Sequence, residues 1–290
     1  MRILALDIGG ANLKAADGLG FAVSHCFPLW QKPAELTEAL RRLIAESPAA
    51  DRLAVTMTGE LADCFATKAE GVEAILSAAA GAAEGREISA YLTDGSFVPP
   101  REAVERPWLA AASNWHALAC FAGRYVPEGC GLLIDVGSTT CDAIPLADGR
   151  PVSVGATDVD RLAAGELIYT GVVRSPICAV APALPWRGKQ VPTAHELFAT
   201  TGDAYLMLGD LAEEPQNHRT ADGRPATKAA ACDRLARSIC ADRTMFDETD
   251  ARVAATAVAR AQLAKVAIAV QAVLRRLPSP PGTVVISGQG

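Results

Sequence analysis

The fold is decided by the stretch ILALDIGGAN, residues 3–12, in which a strand-like apolar run ends in an acid and a glycine-rich turn. The same pattern returns in LLIDVGSTT, residues 132–140. Apolar β-formers predict a buried strand in each copy, followed by a tight hairpin. Glycine lets the backbone of such a hairpin turn sharply and lets its N–H groups approach an anion. The pair predicts two phosphate-facing hairpins that line an active-site cleft.

The acid near the end of each predicted strand has an obvious chemical use. Asp7 and Asp135 are candidate catalytic residues and candidate ligands for Mg²⁺, directly or through water. Amides and hydroxyls of the turns would then receive phosphate oxygens. The candidates for this phosphate-binding role are Gly9, Gly10, Asn12, Gly137, Ser138, Thr139 and Thr140.

A single copy of this pattern is equally well an ordinary β-hairpin signal. Duplication favours the functional interpretation, because Asp7 and Asp135 are separated by about the length of one domain. We therefore predict two similar lobes, over residues 1–128 and 129–290, with helical insertions in the second lobe.

The composition fits a folded protein that acts on a small molecule. Half of the 290 residues are apolar, and a formal net charge of −6 provides no broad basic field for nucleic acid or anionic membranes. No signal-peptide pattern and no apolar run of about 18 residues occurs, which predicts a cytoplasmic protein. The eight cysteines include no Cys-x-x-Cys pair, so neither a zinc site nor a dithiol redox motif is indicated. These observations are compatible with a homodimer.

Periodicity and turn signals predict the remaining elements. The predicted helices lie at residues 33–45, 72–83, 251–277 and within 107–125 and 158–170. The predicted short strands lie at 91–93, 97–98, 141–146 and 151–154, and residues 213–226 form a predicted surface loop. A last strand begins at residue 283 and leads into a glycine-rich turn at Gly288, where a helix normally follows. We therefore expect the second lobe to be C-terminally short.

The three glycine-rich turns resemble those of the actin, sugar-kinase and Hsp70 superfamily, an α/β fold in which two ribonuclease-H-like lobes clasp a phosphate-bearing ligand. Longer segments resemble the hydantoinase/oxoprolinase-related family linked to tetrahydromethanopterin one-carbon metabolism. These segments are residues 55–64, 114–117, 135–142, 158–171 and 196–205, with 209–212 after them.

The family resemblance implies a transferase of methanofuran biosynthesis. Such an enzyme joins an aminomethylfuran-methyl diphosphate to the phenol of γ-glutamyltyramine, or of a similar tyramine-type acceptor, through an ether bond and releases diphosphate. In a bacterium the analogous product would be methylofuran, the formyl carrier of formaldehyde oxidation. Displacement of diphosphate needs stabilised negative charge and a base for the phenol, which agrees with Mg²⁺ and the oriented amides predicted above.

Several further side chains have a functional and a structural interpretation. Asp142 is a candidate base or a turn-stabilising acid, and Arg161 is a candidate phosphate ligand beside the helix-capping acids Asp158 and Asp160. Glu60, with Asp63, can bind metal or the substrate amine, or cap a helix. Asn114 and His116 can contact substrate or stabilise the fold. Gly288 is a candidate phosphate-binding residue of the third turn.

Two other classes of function stay open. The same lobed fold serves ATP-dependent small-molecule kinases and hydantoinase-like amidohydrolases, because a fold does not fix a reaction. ATP is compatible with this fold, but the synthase reaction is not expected to require it. The third alternative is a non-catalytic regulator that binds a phosphate-bearing ligand and gains stability from it.

Overall fold

The computed structural model describes residues 2–288, and the contacts within it divide the chain into two compact units. The first unit runs to Arg124 and also includes Ala156–Asp158. The second unit comprises Tyr125–Gly155 and the chain from Val159 onward. Each unit has its own mixed β-sheet and its own apolar core.

The first unit is built on a six-stranded sheet of order β3-β2-β1-β4-β5-β6. Strands β1, β2 and β3 form an antiparallel meander, β4 and β5 continue the sheet parallel to β1, and β6 closes it antiparallel to β5. This order is the ribonuclease-H-like topology. The strands are β1 (Ile3–Ile8), β2 (Asn12–Ala16), β3 (Ala22–Cys26), β4 (Arg52–Met57), β5 (Glu87–Tyr91) and β6 (Phe97–Val98).

Alternation along β1 decides which face of this sheet is the core. Leu4, Leu6 and Ile8 are buried in the main apolar cluster of the unit, whereas Asp7 lies on the opposite face. The buried face packs on the first two of five helices, and a one-turn 3-10 helix, Pro33–Glu35, precedes the first. The helices are α1 (Leu36–Ala45), α2 (Lys68–Ala82), α3 (Pro100–Glu105), α4 (Pro107–Ala110) and α5 (Asn114–Gly123).

The second unit repeats the beginning of this topology. Its main sheet has the order β10-β8-β7-β13, with β9 paired to β8. Strands β7 and β8 form an antiparallel hairpin, and β13 lies parallel to β7. The strands are β7 (Cys130–Val136), β8 (Cys141–Ala147), β9 (Arg150–Pro151), β10 (Leu167–Ile168) and β13 (Thr283–Gly288), and β11 (Ala183–Trp186) with β12 (Lys189–Pro192) forms a separate hairpin.

A long helix organises the helical part of the second unit. This helix, α10, packs through Ala251, Ala254 and Val258 in a core that also contains Met207 and Leu235. Within residues 2–288 it is the one helix with the length and apolar composition of a membrane span, properties that core helices share. The helices are α6 (Asp158–Ala164), α7 (Ile177–Val180), α8 (Thr201–Leu208), α9 (Lys228–Arg237) and α10 (Glu248–Leu274).

The predicted fold class is confirmed: the chain is an α/β protein with ribonuclease-H-like units. The predicted helices and hairpins are present with shifted ends. For example, the region 107–125, in which one helix was predicted, contains the two helices α4 and α5. The predicted cleft between the lobes, and the lobe boundary at residue 129, stay predictions. The predicted surface loop at 213–226 is held to α9 through Asp222, whose carboxylate accepts hydrogen bonds from Arg234 and Arg237. Asp222 also accepts a hydrogen bond from Arg224 within the loop.

Candidate active site

The first glycine-rich turn joins β1 to β2 and is closed by its own backbone. The Gly9 N–H donates to the carbonyl of Asn12 at 3.0 Å, and a Cβ at Gly9 would lie only 3.0 Å from that oxygen. Gly10 faces open space, since a Cβ there would meet no atom within 4 Å. A side chain would therefore fit at Gly10, whose carbonyl accepts from the Leu29 N–H at 2.9 Å, and the phosphate contact at this turn stays a prediction.

Asp7 has one paired and one unpaired carboxylate oxygen. Its Oδ2 accepts from Lys14 Nζ at 3.1 Å, whereas its Oδ1 is buried without a hydrogen-bond partner in the described part of the chain. A buried carboxylate oxygen without a hydrogen-bond partner is suited to contact a bound ligand. The sequence analysis did not single out Lys14, although a β1–β2 hairpin with this turn places it directly opposite Asp7.

The second glycine-rich turn joins β7 to β8 and is supported from the segment after β10. Gly137 N–H donates to Thr140 O at 2.8 Å and closes the turn. The N–H groups of Val172 and Val173 donate to the carbonyls of Gly137 and Ser138 at 3.1 and 3.0 Å. The hydroxyls of Ser138 and Thr139 lie 3.5 Å apart, and the phosphate contact predicted for Ser138, Thr139 and Thr140 stays a prediction.

Gly171 fixes the position of this second turn, and sequence reasoning did not identify it as a site residue. A Cβ at Gly171 would lie 2.5 Å from the carbonyl carbon of Ser138 and from the amide nitrogen of Thr139. Its carbonyl accepts from Thr201 Oγ1 at 2.7 Å and from Gln262 Nε2 at 2.8 Å. The signal in the sequence was the glycine that ends the motif at residues 158–171.

Gly171→Ala is expected to lower any activity of this turn by about 100-fold, because a shift of roughly 1 Å in a positioned group costs that much. Steady-state rates at saturating substrate would show it. Gly282→Ala is the matched control, since a Cβ there would meet its nearest atom, Cys130 O, at 3.9 Å. Equal rates in both variants would contradict the role assigned to Gly171.

Asp135 and Asp142 lie opposite each other in the β7–β8 register, as a tight hairpin predicts. The structure pairs Asp142 with Arg161, whose Nη2 donates to Asp142 Oδ1. Arg161 is only 2% exposed, so its guanidinium lies in the interior of the unit. The predicted phosphate ligand and the predicted base are therefore partners in one ion pair, and their roles in catalysis stay predictions.

Glu60 follows β4 and is almost completely buried, with 1% of its surface exposed. Its Oε1 lies 3.9 Å from Lys68 Nζ, and Lys68 also donates to Asp158 Oδ2 at 3.0 Å. Burial raises the pKa of Glu60 above its ordinary value, and Lys68 opposes that shift. Asp158 therefore pairs with a lysine rather than serving only as the predicted helix cap.

Asn114 begins α5 directly after a strained turn. Ala112 has a φ of 49°, which an L-residue adopts rarely, and the Ser113 hydroxyl is buried without a hydrogen-bond partner among residues 2–288. His116, two residues further, is hydrogen-bonded through Nδ1 to Tyr91 Oη at 2.9 Å. Burial lowers the pKa of His116, so the structure favours the structural role for this histidine.

Gly288 is the last described residue and ends β13. Its φ is +105°, and a Cβ there would lie 2.1 Å from the carbonyl oxygen of Val136. The rest of the predicted third turn, at 289 and 290, lies outside the described residues. A side chain larger than hydrogen therefore does not fit at position 288 without moving β7.

A cavity of about 690 Å³ opens on the sheet face of the first unit that carries Asp7. Ala5, Ala16 and Ala54 form part of its wall, and Tyr91 and Cys120 lie in the lining as well. The Asp7–Lys14 ion pair is the charged part of this lining. The volume and the apolar wall suit a small aromatic molecule with a charged end.

Together, the strand order and the paired hairpins define an α/β protein of the ribonuclease-H-like class. A family model described as Hydantoinase/oxoprolinase matches residues 51–290. The chain therefore belongs to the hydantoinase/oxoprolinase family.

Two curated relatives carry the same name, (4-{4-[2-(gamma-L-glutamylamino)ethyl]phenoxymethyl}furan-2-yl)methanamine synthase. The one from Methanocaldococcus jannaschii is 37% identical over 251 residues, which cover 86% of this chain and 74% of that protein. The one from Methanococcus vannielii is 34% identical over 122 residues, which cover 42% of this chain and 54% of that protein.

Solved structures resemble the chain at low sequence identity. The PilM–PilN complex of type IV pilus biogenesis has a TM-score of 0.47 at 13% identity and covers 100% of this chain and 82% of that chain. Nucleotide-free acetone carboxylase has a TM-score of 0.45 at 13% identity and covers 91% of this chain and 44% of that chain.

Proposed function

We propose that this protein is a synthase of methanofuran or methylofuran biosynthesis. It couples an aminomethylfuran-methyl diphosphate to the phenol of tyramine or γ-glutamyltyramine, forms an ether bond and releases diphosphate. The carrying observation is the 37% identity, over 86% of the chain, to a protein named for the ether product. The enzyme serves tetrahydromethanopterin-linked one-carbon transfer in the cytoplasm and takes no nucleic acid or membrane as partner.

The site geometry supports this proposal at the leaving group. Displacement at the furfuryl carbon transfers negative charge to the departing diphosphate, and N–H and hydroxyl donors aimed at that charge lower the barrier. In the second unit, the hydroxyls of Ser138 and Thr139 are suitable donors. In the first unit, Lys14, half exposed beside Asp7, is a suitable cation.

Mg²⁺ is the proposed metal, with Asp7 and Asp135 as its ligands. The unpaired, buried Oδ1 of Asp7 fits such a role, whereas its Oδ2 is already paired with the Lys14 ammonium. No group of three or more histidines, cysteines or acids lies close enough to hold a metal within the described ranges. Bound Mg²⁺ would neutralise charge on the diphosphate.

The cavity beside Asp7 supports an aromatic substrate. Its alanine wall can receive the furan ring, while Lys14 attracts the phosphate of the same molecule. An ATP-dependent kinase and a non-catalytic regulator are alternatives that the following experiment separates, and an amidohydrolase would release no diphosphate in it.

The test is diphosphate release by the protein with the furan diphosphate, γ-glutamyltyramine or tyramine, and Mg²⁺, with and without ATP. Release together with the ether product, independent of ATP, is expected. Asp135→Asn should lower the rate by about 100-fold or more, since it removes a proposed ligand of the Mg²⁺ that would neutralise the leaving diphosphate. Phosphate transfer from ATP would favour a kinase, and ligand-induced stabilisation without turnover would favour a regulator.

A further inference from the structure

The backbone just before Glu60 lies against the first glycine-rich turn. The N–H groups of Thr58 and Gly59 both donate to Ile8 O at 3.0 Å, and a Cβ at Gly59 would lie 3.2 Å from Gly9 C. The segment that carries Glu60 is therefore fixed to the carboxyl ends of β1 and β4. In open α/β sheets, ligands bind at this edge.

One of the two carboxylate oxygens of Glu60 lacks a hydrogen-bond partner among the described residues. This oxygen, Oε2, is buried. Glu166 in the second unit, which is 0% exposed, provides the contrast. Ser153 Oγ donates to one of its oxygens, and Val154 N and Arg276 Nη2 donate to the other at 3.0 and 2.8 Å. A buried acceptor without a donor is costly, so Glu60 is suited to receive a donor from a ligand.

The charged groups around Glu60 neutralise the negative charge of its carboxylate only in part. The charged groups that face it are Lys68 from α2 and Asp158 from the start of α6. Lys68 lies nearer to Asp158, at 3.0 Å, than to Glu60, at 3.9 Å. Burial, opposed by the Lys68 ammonium and the main chain of Ala112, raises the pKa of Glu60 above its ordinary value. A carboxylate with a raised pKa is a stronger proton acceptor than an exposed one.

We propose that Glu60 is the proton acceptor for the phenol in the ether-forming reaction, an inference that rests on the proposed function. The phenol O–H donates to the unpaired Oε2, and its proton passes to Glu60 as the phenol oxygen bonds to the furfuryl carbon. The bond from that carbon to the diphosphate oxygen breaks, and diphosphate leaves with the electron pair. Glu60 then returns the proton to water, which completes the balance.

Asp142, the base predicted from the sequence, is less suited to this step. The buried guanidinium of Arg161 donates to its Oδ1 and stabilises the charged carboxylate. Proton transfer to this carboxylate would weaken its ion pair with the buried Arg161 guanidinium. Glu60 has no such partner within hydrogen-bond distance on Oε2.

The first test compares Glu60→Gln with the wild-type protein in the diphosphate-release assay. We expect kcat to fall by about 100-fold or more with little change in KM, because general base catalysis contributes that much. Glu60→Asp should retain more activity than Glu60→Gln, since it keeps a carboxylate. Glu73→Gln is the matched control, because Glu73 is exposed on the neighbouring helix α2.

The pH profile separates a proton acceptor from a structural residue. Activity should rise with pH as Glu60 loses its proton, and this acid limb should disappear in Glu60→Gln. In Lys68→Met the limb should move to higher pH, because Lys68 lowers the pKa of Glu60. Glu60→Gln should melt at the same or a higher temperature than wild type at pH 8, since ionised Glu60 destabilises the folded state as pH rises through its raised pKa.

The activity and pH measurements have three outcomes, each of which decides the role of Glu60. Wild-type activity, combined with a Glu60→Gln variant that keeps kcat and the acid limb, would overturn the role of Glu60 and leave the proposed function intact. A wild-type protein that makes no ether product would overturn the proposed function, and the role of Glu60 with it. A folded Glu60→Gln variant with lost turnover, together with the shifted limb in Lys68→Met, would establish the role.

Discussion

Gly71→Ala is expected to destabilise the protein by about 3 kcal/mol, the upper part of the range for forcing extra volume into a packed interior. A Cβ at this position in α2 would lie 2.2 Å from the main-chain oxygen of Glu60 and 2.7 Å from its Cα. Both atoms belong to backbone that is fixed to the end of β1, so neither can swing away as a side chain would. Chemical denaturation followed by circular dichroism measures the loss.

Gly81→Ala in the same helix is the matched control. Its Cβ would meet the methyl group of Thr37 at 3.1 Å, and a side chain can shift. Alanine also gains about 1 kcal/mol of helix propensity over glycine, which offsets that contact. We expect the control to stay within about 1 kcal/mol of wild type. Equal stability of the two variants would mean that α2 moves freely on the Glu60 segment.

Arg234→Ala is expected to cost about 3–5 kcal/mol, because it leaves the buried carboxylate of Asp203 without its cation. Arg234 is 0% exposed and donates through Nε to Asp203 Oδ1 at 2.9 Å and through Nη1 to Asp222 Oδ1 at 3.0 Å. Asp203 is itself 2% exposed, and burial raises its pKa even with Arg234 beside it. Urea denaturation at pH 7 measures the loss.

Arg237→Ala provides the control for this prediction. Arg237 also donates to Asp222, at 3.1 Å, but its side chain is 46% exposed, so its removal should cost less than about 1 kcal/mol. The loss in free energy of unfolding caused by Arg234→Ala should become smaller as the pH is lowered. The guanidinium groups of Arg224 and Arg234 hold the pKa of Asp222 below its ordinary value against the effect of burial, and that stabilisation is lost as pH falls through the lowered pKa. A loss that does not change with pH would contradict the charge argument.

The two hairpins were predictable because their signals are local. Strand periodicity and turn glycines located β1–β2 and β7–β8, and the hairpin register alone sets Asp142 opposite Asp135. The same register places Lys14 opposite Asp7, so this partner was accessible to sequence reasoning and was missed.

The other features of the site depend on contacts between distant segments. The pairing of Arg161 with Asp142 joins α6 to β8, and the burial of Glu60 arises where α2 and the turn before α5 cover the end of β4. A local pattern contains no information on which side chain lacks a hydrogen-bond donor after packing. The unpaired oxygen of Glu60, which distinguishes it from Glu166, could be identified only in the folded structure.

The hydrogen bond from Gln262 to Gly171 also has a consequence for the order of folding. It links positions that lie 91 residues apart, and through Gly171 it supports the turn at Ser138 and Thr139. During synthesis the chain emerges from its N-terminus, so this turn leaves the ribosome long before α10 can reach it. The first unit needs no such late segment apart from Ala156–Asp158. Its turn can reach the final shape early, whereas the second turn gains the support of Gln262 only after α10 has been made.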